Sequence, residues 1–331
     1  MQQVDSATPK RRDPTIDGLK FVAAGAIVMV HVALSARPGP LREFVMQVSV
    51  TALYFFFMVA GYFHGEVGGR GGAWIWRRFV RLGVPYAVWS AIYLLWWEGS
   101  RLYRGQQLIV PDPVLLVFFA GANQVLWSLP MLFACALIAD TLATTPGRRR
   151  ALLVLSAAVA VAAWTVIPPS ALPDNGIRQF IMGARWLVTY LLGMQLRGAI
   201  KHTGRATLYA AAAAGGALIA GLITVFYGRA PQIVPWAAVN VANGGAAYAL
   251  LAGARNGMGW LGIRRFAWGG DYLLGIYVSH HLWLEVLARI VPPHSMPAAV
   301  WIPFAWSMCF AASILTTRLL LSSRYTRLAV S

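Results

Sequence analysis

Charge is scarce in this chain, and negative charge most of all: Asp and Glu number 11 among 331 residues, and charged side chains of both signs make up only 12%. An ordinary soluble domain carries about twice that share to cover its surface, so a water-soluble fold of common composition is excluded. Cysteine is scarcer still. Cys135 and Cys309 each lie within an apolar run and lack ligand-like spacing, which argues against a disulfide framework or a zinc site. What is abundant is apolar surface, with 58% hydrophobic residues and a mean hydropathy of +0.60. Apolar stretches of about 20 residues, long enough as helix to cross ~30 Å of hydrocarbon, recur from Ile16 almost to the C-terminus. The pattern predicts an all-α fold, a polytopic membrane bundle of about ten transmembrane helices. Their centres fall at Gly25, Phe55, Ser90, Phe133, Ala158, Thr189, Ala214, Val241, Val278 and Ala311.

The formal charge of +17 and a pI near 10.7 would suggest nucleic acid as the partner of a soluble protein. The placement of the cations points elsewhere. With the N-terminus inside, most of the 28 Lys and Arg gather at inside ends and loops: Lys10 to Arg12, around Arg77, Arg148 to Arg150, around Lys201, around Arg264, and near the C-terminus. This positive-inside asymmetry predicts two cytoplasmic termini, with membrane lipids and no nucleic acid as the surroundings. "KRR" ahead of an apolar run ending in "ALSA" loosely resembles a cleaved signal peptide. Asp17 and Lys20 interrupt the apolar core that such a peptide needs, so the first helix is expected to stay. The expected organisation is a single domain over 1–331, with cytoplasmic tails at 1–14 and 322–331. The weakly apolar interval from Glu98 to Gln124 is placed outside. No tandem or inverted repeat is evident, which counts against a repeat-built transporter.

Three ionisable groups interrupt the first span, "IDGLKFVAAGAIVMVHVALSA": Asp17, Lys20 and His31. At 100° per residue, Lys20 and His31 share a helix face and stand ~16 Å apart along the axis, with Asp17 roughly 40° from His31. A titratable group inside a span faces a cavity or a partner, which makes His31 a functional candidate. The stretch "RRFVRLGVPY" sets Arg78 and Arg81 one turn apart with Arg77 beside them. Such a pair suits phosphate oxygens, although arginines at an inside helix end also satisfy topology alone. His280, His281 and Glu285 have a metal-like spacing but no third strong ligand in view, so no metal site is expected. His64, His202 and His294 lie in loops or at helix ends and suggest no special role.

Five motifs occur in order: "DGLK" with its Lys20-x10-His31 spacing, "YFFFMVAGYF", Arg78-x-x-Arg81, "LWSLP" from Leu126 to Pro130, and "GDYLLGIYVSHHLWL". Together, from residue 15 to about 290, they resemble the acyltransferase-3 family. The resemblance implies a bacterial inner-membrane O-acyltransferase. Its donor would be cytoplasmic acyl-CoA, acetyl-CoA foremost, used as a co-substrate with no permanently bound cofactor. Its acceptor would be a sugar hydroxyl of an exopolysaccharide, O-antigen or lipid-linked glycan. The resemblance further implies catalytic roles for His31, as general base or transient acyl carrier, and for Asp17, which orients a cation. Lys20, Arg77, Arg78 and Arg81 would hold the donor, and Tyr62, Trp127, Tyr277 and His280 would meet the acceptor. Two departures stand out: Ala60 precedes Gly61 where the family often has Ser, and Lys20 stands where Arg is common. The rival reading is a transporter or flippase for a charged glycan or lipid, with the same buried ions lining its path.

Overall fold

A computed structural model describes residues 13–64, 71–107, 123–166, 183–199, 205–227 and 233–330. Asp13 starts the first helix by accepting hydrogen bonds from the backbone N–H groups of Thr15 and Ile16, with Pro14 in the position where a missing N–H is harmless. Ten α-helices follow one another among the described residues. They are α1 (Pro14–Ser35), α2 (Pro40–His64), α3 (Gly72–Tyr103), α4 (Ser128–Leu142), α5 (Pro146–Val166), α6 (Ala184–Ala199), α7 (Ala206–Tyr227), α8 (Ile233–Arg255), α9 (Leu273–Ile290) and α10 (Ala298–Ser322). No strand occurs among the described residues. Each expected span centre falls in its own helix, and the chain is an all-α membrane bundle.

Six segments are individually long and apolar enough to cross a bilayer: α1, α2, α3, Val125–Leu142, α7 and α10. Polarity and length explain two of the others. α6 has only 16 residues, and α9 fits His280, His281, Glu285 and Arg289 into 18. The expected outside interval is partly helical, since α3 continues to Tyr103, and 108–122 lies outside the described residues.

α1 is the axis of the bundle. One side of it, through Ile16, Leu19, Ala23 and Ile27, packs with Phe55, Met58, Ala139, Leu191 and Leu251 of α2, α4, α6 and α8. Another side, through Phe21, Ala24, Val28 and Val32, packs on Ile276 and Leu284 of α9 and on Trp301 and Ala305 of α10. Large apolar side chains also face outward: Leu95, Phe226, Val241 and Leu319 are exposed, as expected where the solvent is hydrocarbon. Beyond Ser322 the chain folds back, and Trp89 donates its indole N–H to the Ala329 carbonyl at 3.0 Å.

Two motif glycines are packing devices. A Cβ on Gly61 would strike the Tyr190 carbonyl, and one on Gly193 would strike the Met58 carbonyl, so α2 and α6 run backbone against backbone. Gly18 of "DGLK" similarly admits the Ile263 carbonyl, which starts the 3-10 segment Ile263–Asp271 laid along the first turns of α1. Gly193→Val should therefore destabilise the detergent-solubilised protein by about 1–3 kcal/mol or more, read as a lowered melting temperature. Gly245→Ala in α8, where an added Cβ meets nothing within 4 Å, should leave it unchanged or slightly raised. Equal melting temperatures for the two variants would contradict the α2–α6 contact.

Candidate active site

His31 sits near the far end of α1, where α9 brings two more imidazoles to it. The His280 ring lies 5.0 Å away between centroids, and the His281 ring lies 5.6 Å away, edge-on. His280 is enclosed at 1% exposure. Its Nδ1 is 3.1 Å from the Ile276 carbonyl one turn back, which can only accept, so the proton is on Nδ1 and Nε2 is left as an acceptor. That Nε2 has no hydrogen-bond partner among the described residues. His281 is placed differently, with Nδ1 3.1 Å from Glu285 Oε1.

The Glu285 carboxylate is itself held in place. Its Oε2 accepts the indole N–H groups of Trp96 and Trp97, both at 2.8 Å. Asn123 Nδ2 lies 3.0 Å from His281 Nδ1 and 3.4 Å from Glu285 Oε1, and its orientation is set by Oδ1 accepting from the Val125 N–H at 3.0 Å. Tyr93 of α3 fastens this turn of α9: its hydroxyl donates to the Val278 carbonyl at 2.9 Å and accepts from the Leu282 N–H at 3.1 Å. In the sequence His281 and Glu285 stand out only as metal-ligand types, and among the described residues no group of three or more His, Cys, Asp and Glu side chains is arranged to hold a metal ion. Their i, i+4 spacing was the available signal for a pair. Nothing local to the sequence marked Asn123, Trp96 or Trp97 as its partners.

Tyr277 and Trp127 are tied into the protein. The Tyr277 hydroxyl accepts from Ser128 at 2.6 Å and donates to the Val125 carbonyl, which joins "LWSLP" to α9. Trp127 stacks on Phe57 and lies against Trp186. Tyr62 is buried, with the Arg255 guanidinium 5.8 Å from its ring centroid.

At the N-terminal end of α1, Lys20 Nζ is 3.0 Å from Asp17 Oδ1 and lies over the Phe63 ring at 4.7 Å. Arg78 is half-buried over Trp74 at 5.3 Å, and Trp74 meets His64. Arg77 and Arg81 are exposed. Instead of an even fork, one arginine is drawn inward and two point outward, and the last residues of α2 link the two groups, Phe63 lying against Lys20 and His64 against Trp74. At the same end a cleft of about 490 Å³ is lined by Asp13, Thr15, Arg255, Asn256 and Arg264, among others. Arg255 pairs with Asp13 at 3.3 Å, and Arg264 donates to Thr15 Oγ1 at 3.2 Å. Thr15 lies roughly 140° round the helix from Lys20, so this cleft opens on the other face of α1. His64 is buried between Tyr190, at 2.7 Å from Nδ1, and Asp140, at 3.6 Å from Nε2. This network joins α2, α4 and α6 through a histidine that stands, as the sequence allowed, at a helix end, but with a structural role the sequence did not suggest.

A helix bundle with apolar outer walls, a basic end and three clustered imidazoles, one buried and two half-buried, defines a membrane-embedded protein equipped for proton transfer or nucleophilic chemistry. Residues 13–320 match the family model Acyl_transf_3, described as an acyltransferase domain, and the chain belongs to this acyltransferase-3 family of membrane acyltransferases. No curated protein and no solved structure matches it.

The saturated hydroxyl of Tyr277 generates a test. Tyr277→Phe strands the buried Val125 carbonyl, so it should lower stability by about 1–3 kcal/mol, measured by denaturation in detergent. An unchanged stability would contradict that contact.

Proposed function

We propose that this protein is an O-acyltransferase that moves an acyl group, acetyl foremost, from cytoplasmic acyl-CoA to a sugar hydroxyl of an exopolysaccharide, O-antigen or lipid-linked glycan. The supporting observation is the arrangement of α1: Lys20, paired with Asp17 at the basic end, shares a face with His31, which sits among imidazoles ~16 Å further along. In this reading the nucleotide phosphates of the donor lie by Lys20 and Arg78, and the pantetheine arm follows α1 until the thioester reaches His31. Arg77 and Arg81 add positive potential at the entrance. The membrane is the bacterial inner membrane, with both termini and the basic end in the cytoplasm, a reading supported by the bias of Lys and Arg toward one side.

A ring nitrogen of His31 takes the proton of the acceptor hydroxyl as its oxygen attacks the thioester carbon. The C–O bond forms, the C–S bond breaks, and CoA leaves as the thiolate. A transport role for the same buried ions gives way to chemistry, because the family is one of acyltransferases.

The test is release of CoA and formation of an acylated sugar by the purified protein supplied with acetyl-CoA and a panel of glycans. His31→Gln keeps size and hydrogen bonding but loses basicity, so turnover should fall by about 10² to 10⁴ while CoA still binds. Near-normal turnover would exclude His31 as the base. Arg78→Ala should weaken CoA binding by about tenfold to a hundredfold, as expected for lost charge-assisted bonds, and by more than Arg81→Ala, because Arg78 is half-buried and held over Trp74 whereas Arg81 is exposed. Calorimetric affinities in the reverse order would move the phosphate seat to the exposed arginines.

A further inference from the structure

We infer that His281 and Glu285 form a proton relay behind His31, carrying the acceptor's proton away from the reacting centre toward the end of α9 opposite the basic end. The inference rests on the transfer reaction proposed above. Each turnover leaves His31 protonated next to a newly formed ester, and the proton has to leave before the next acceptor is activated.

Two imidazoles are within reach, and their surroundings differ. His280 already donates Nδ1–H to Ile276, and no carboxylate contacts it among the described residues. A second proton would create an uncompensated charge in an apolar interior, which is strongly unfavourable. His281 has Glu285 Oε1 3.1 Å from Nδ1, so an imidazolium formed there is paired at once. With its first proton on Nδ1 toward Glu285, His281 presents Nε2 as the acceptor for the proton on His31. This is the arrangement by which a carboxylate orients and stabilises a histidine in hydrolytic triads.

The remaining contacts fit a carboxylate that stays in place through the cycle. Trp96, Trp97 and Asn123 offer it N–H donors from α3 and from the turn before α4, and none offers it an acceptor. Asn123 Nδ2 faces both partners, so it can donate to His281 Nδ1 when that nitrogen is bare and to Glu285 when it carries the proton. The charged and titratable groups around His281 are His31 from α1, His280 and Glu285 on its own helix, and Tyr93 from α3, whose hydroxyl is engaged with the α9 backbone. The edge-on approach of the His31 and His281 rings at 5.6 Å closes to hydrogen-bond contact by ring rotation, and such contacts commonly tighten only when substrate is bound. Proton balance is simple. The acceptor O–H proton passes to His31 and then to His281 Nε2, and it leaves on the Glu285 side to solvent, matching the charge of the departing CoA thiolate.

The test uses the full chain in detergent, with acetyl-CoA as donor and concentrated glucose as the acceptor alcohol, following CoA release. His281→Ala and Glu285→Gln should each lower kcat by about tenfold to a hundredfold, with KM for acetyl-CoA unchanged and CoA binding intact. Added imidazole should restore turnover to His281→Ala, a response that a purely structural defect would not give. Glu285→Asp, which keeps the charge, should recover part of the rate and serves in place of Glu285→Gln should that variant fail to fold. Full turnover in His281→Ala and in the Glu285 variants overturns the relay alone. Loss without imidazole rescue in a His281→Ala protein that melts like the wild type also overturns it. No CoA release by the wild-type protein would overturn the transfer reading, and the relay with it.

Discussion

In a bilayer every polar group has to find its partner inside the protein, because hydrocarbon offers none. That constraint shapes this bundle more than any single apolar contact. Lys20 enters the membrane region bound to Asp17, Thr51 donates to Asn243 across α2 and α8 at 2.7 Å, and Trp306 donates to the Gly25 carbonyl at 2.8 Å. Glu285, with its two indole donors, is the fullest case: a half-buried carboxylate held by neighbours from α3. Polar pairing of this kind ties helices together and also decides where ionisable groups can be kept for chemistry.

α1 carries both kinds of load. Its small residues admit neighbouring backbones and rings: Gly18 meets Ile263, and Gly25 meets Trp306 and Phe310. Another face keeps the polar line from Asp17 to His31. A helix that did only the packing would need no ions, yet this one carries three and is still central to two apolar clusters. The position of His31 is therefore fixed by the same contacts that hold the bundle together.

Much of this was legible in the sequence, for physical reasons. An ion in an apolar run is conspicuous, so Asp17, Lys20 and His31 stood out, and helical periodicity put them on one face. Hydropathy located the helices because crossing hydrocarbon demands length. What was hidden depends on approach between distant segments. Asn123 meets His281 across 158 positions of sequence, and no local pattern encodes that. Arg255 and Arg264, which face the cleft at the start of α1, look in sequence like any arginine obeying the topology rule. The partners that Tyr277 and Trp127 find within the protein, Ser128 and Val125 for one and Phe57 for the other, lie far from them in sequence and were equally hidden. Gly61 looked like part of a functional motif, and its demonstrable contact is the α6 backbone.

The hydroxyl of Tyr93 bridges the carbonyl of Val278 and the amide of Leu282, the two ends of what would be one rung of the α9 ladder. The turn held in this way carries His280 and His281. The placement of the histidine turn is thus shared between α9 and a residue of α3, the helix that also presents Arg78 at the basic end. Any displacement of α3 would therefore be felt at the imidazoles through a single phenol oxygen.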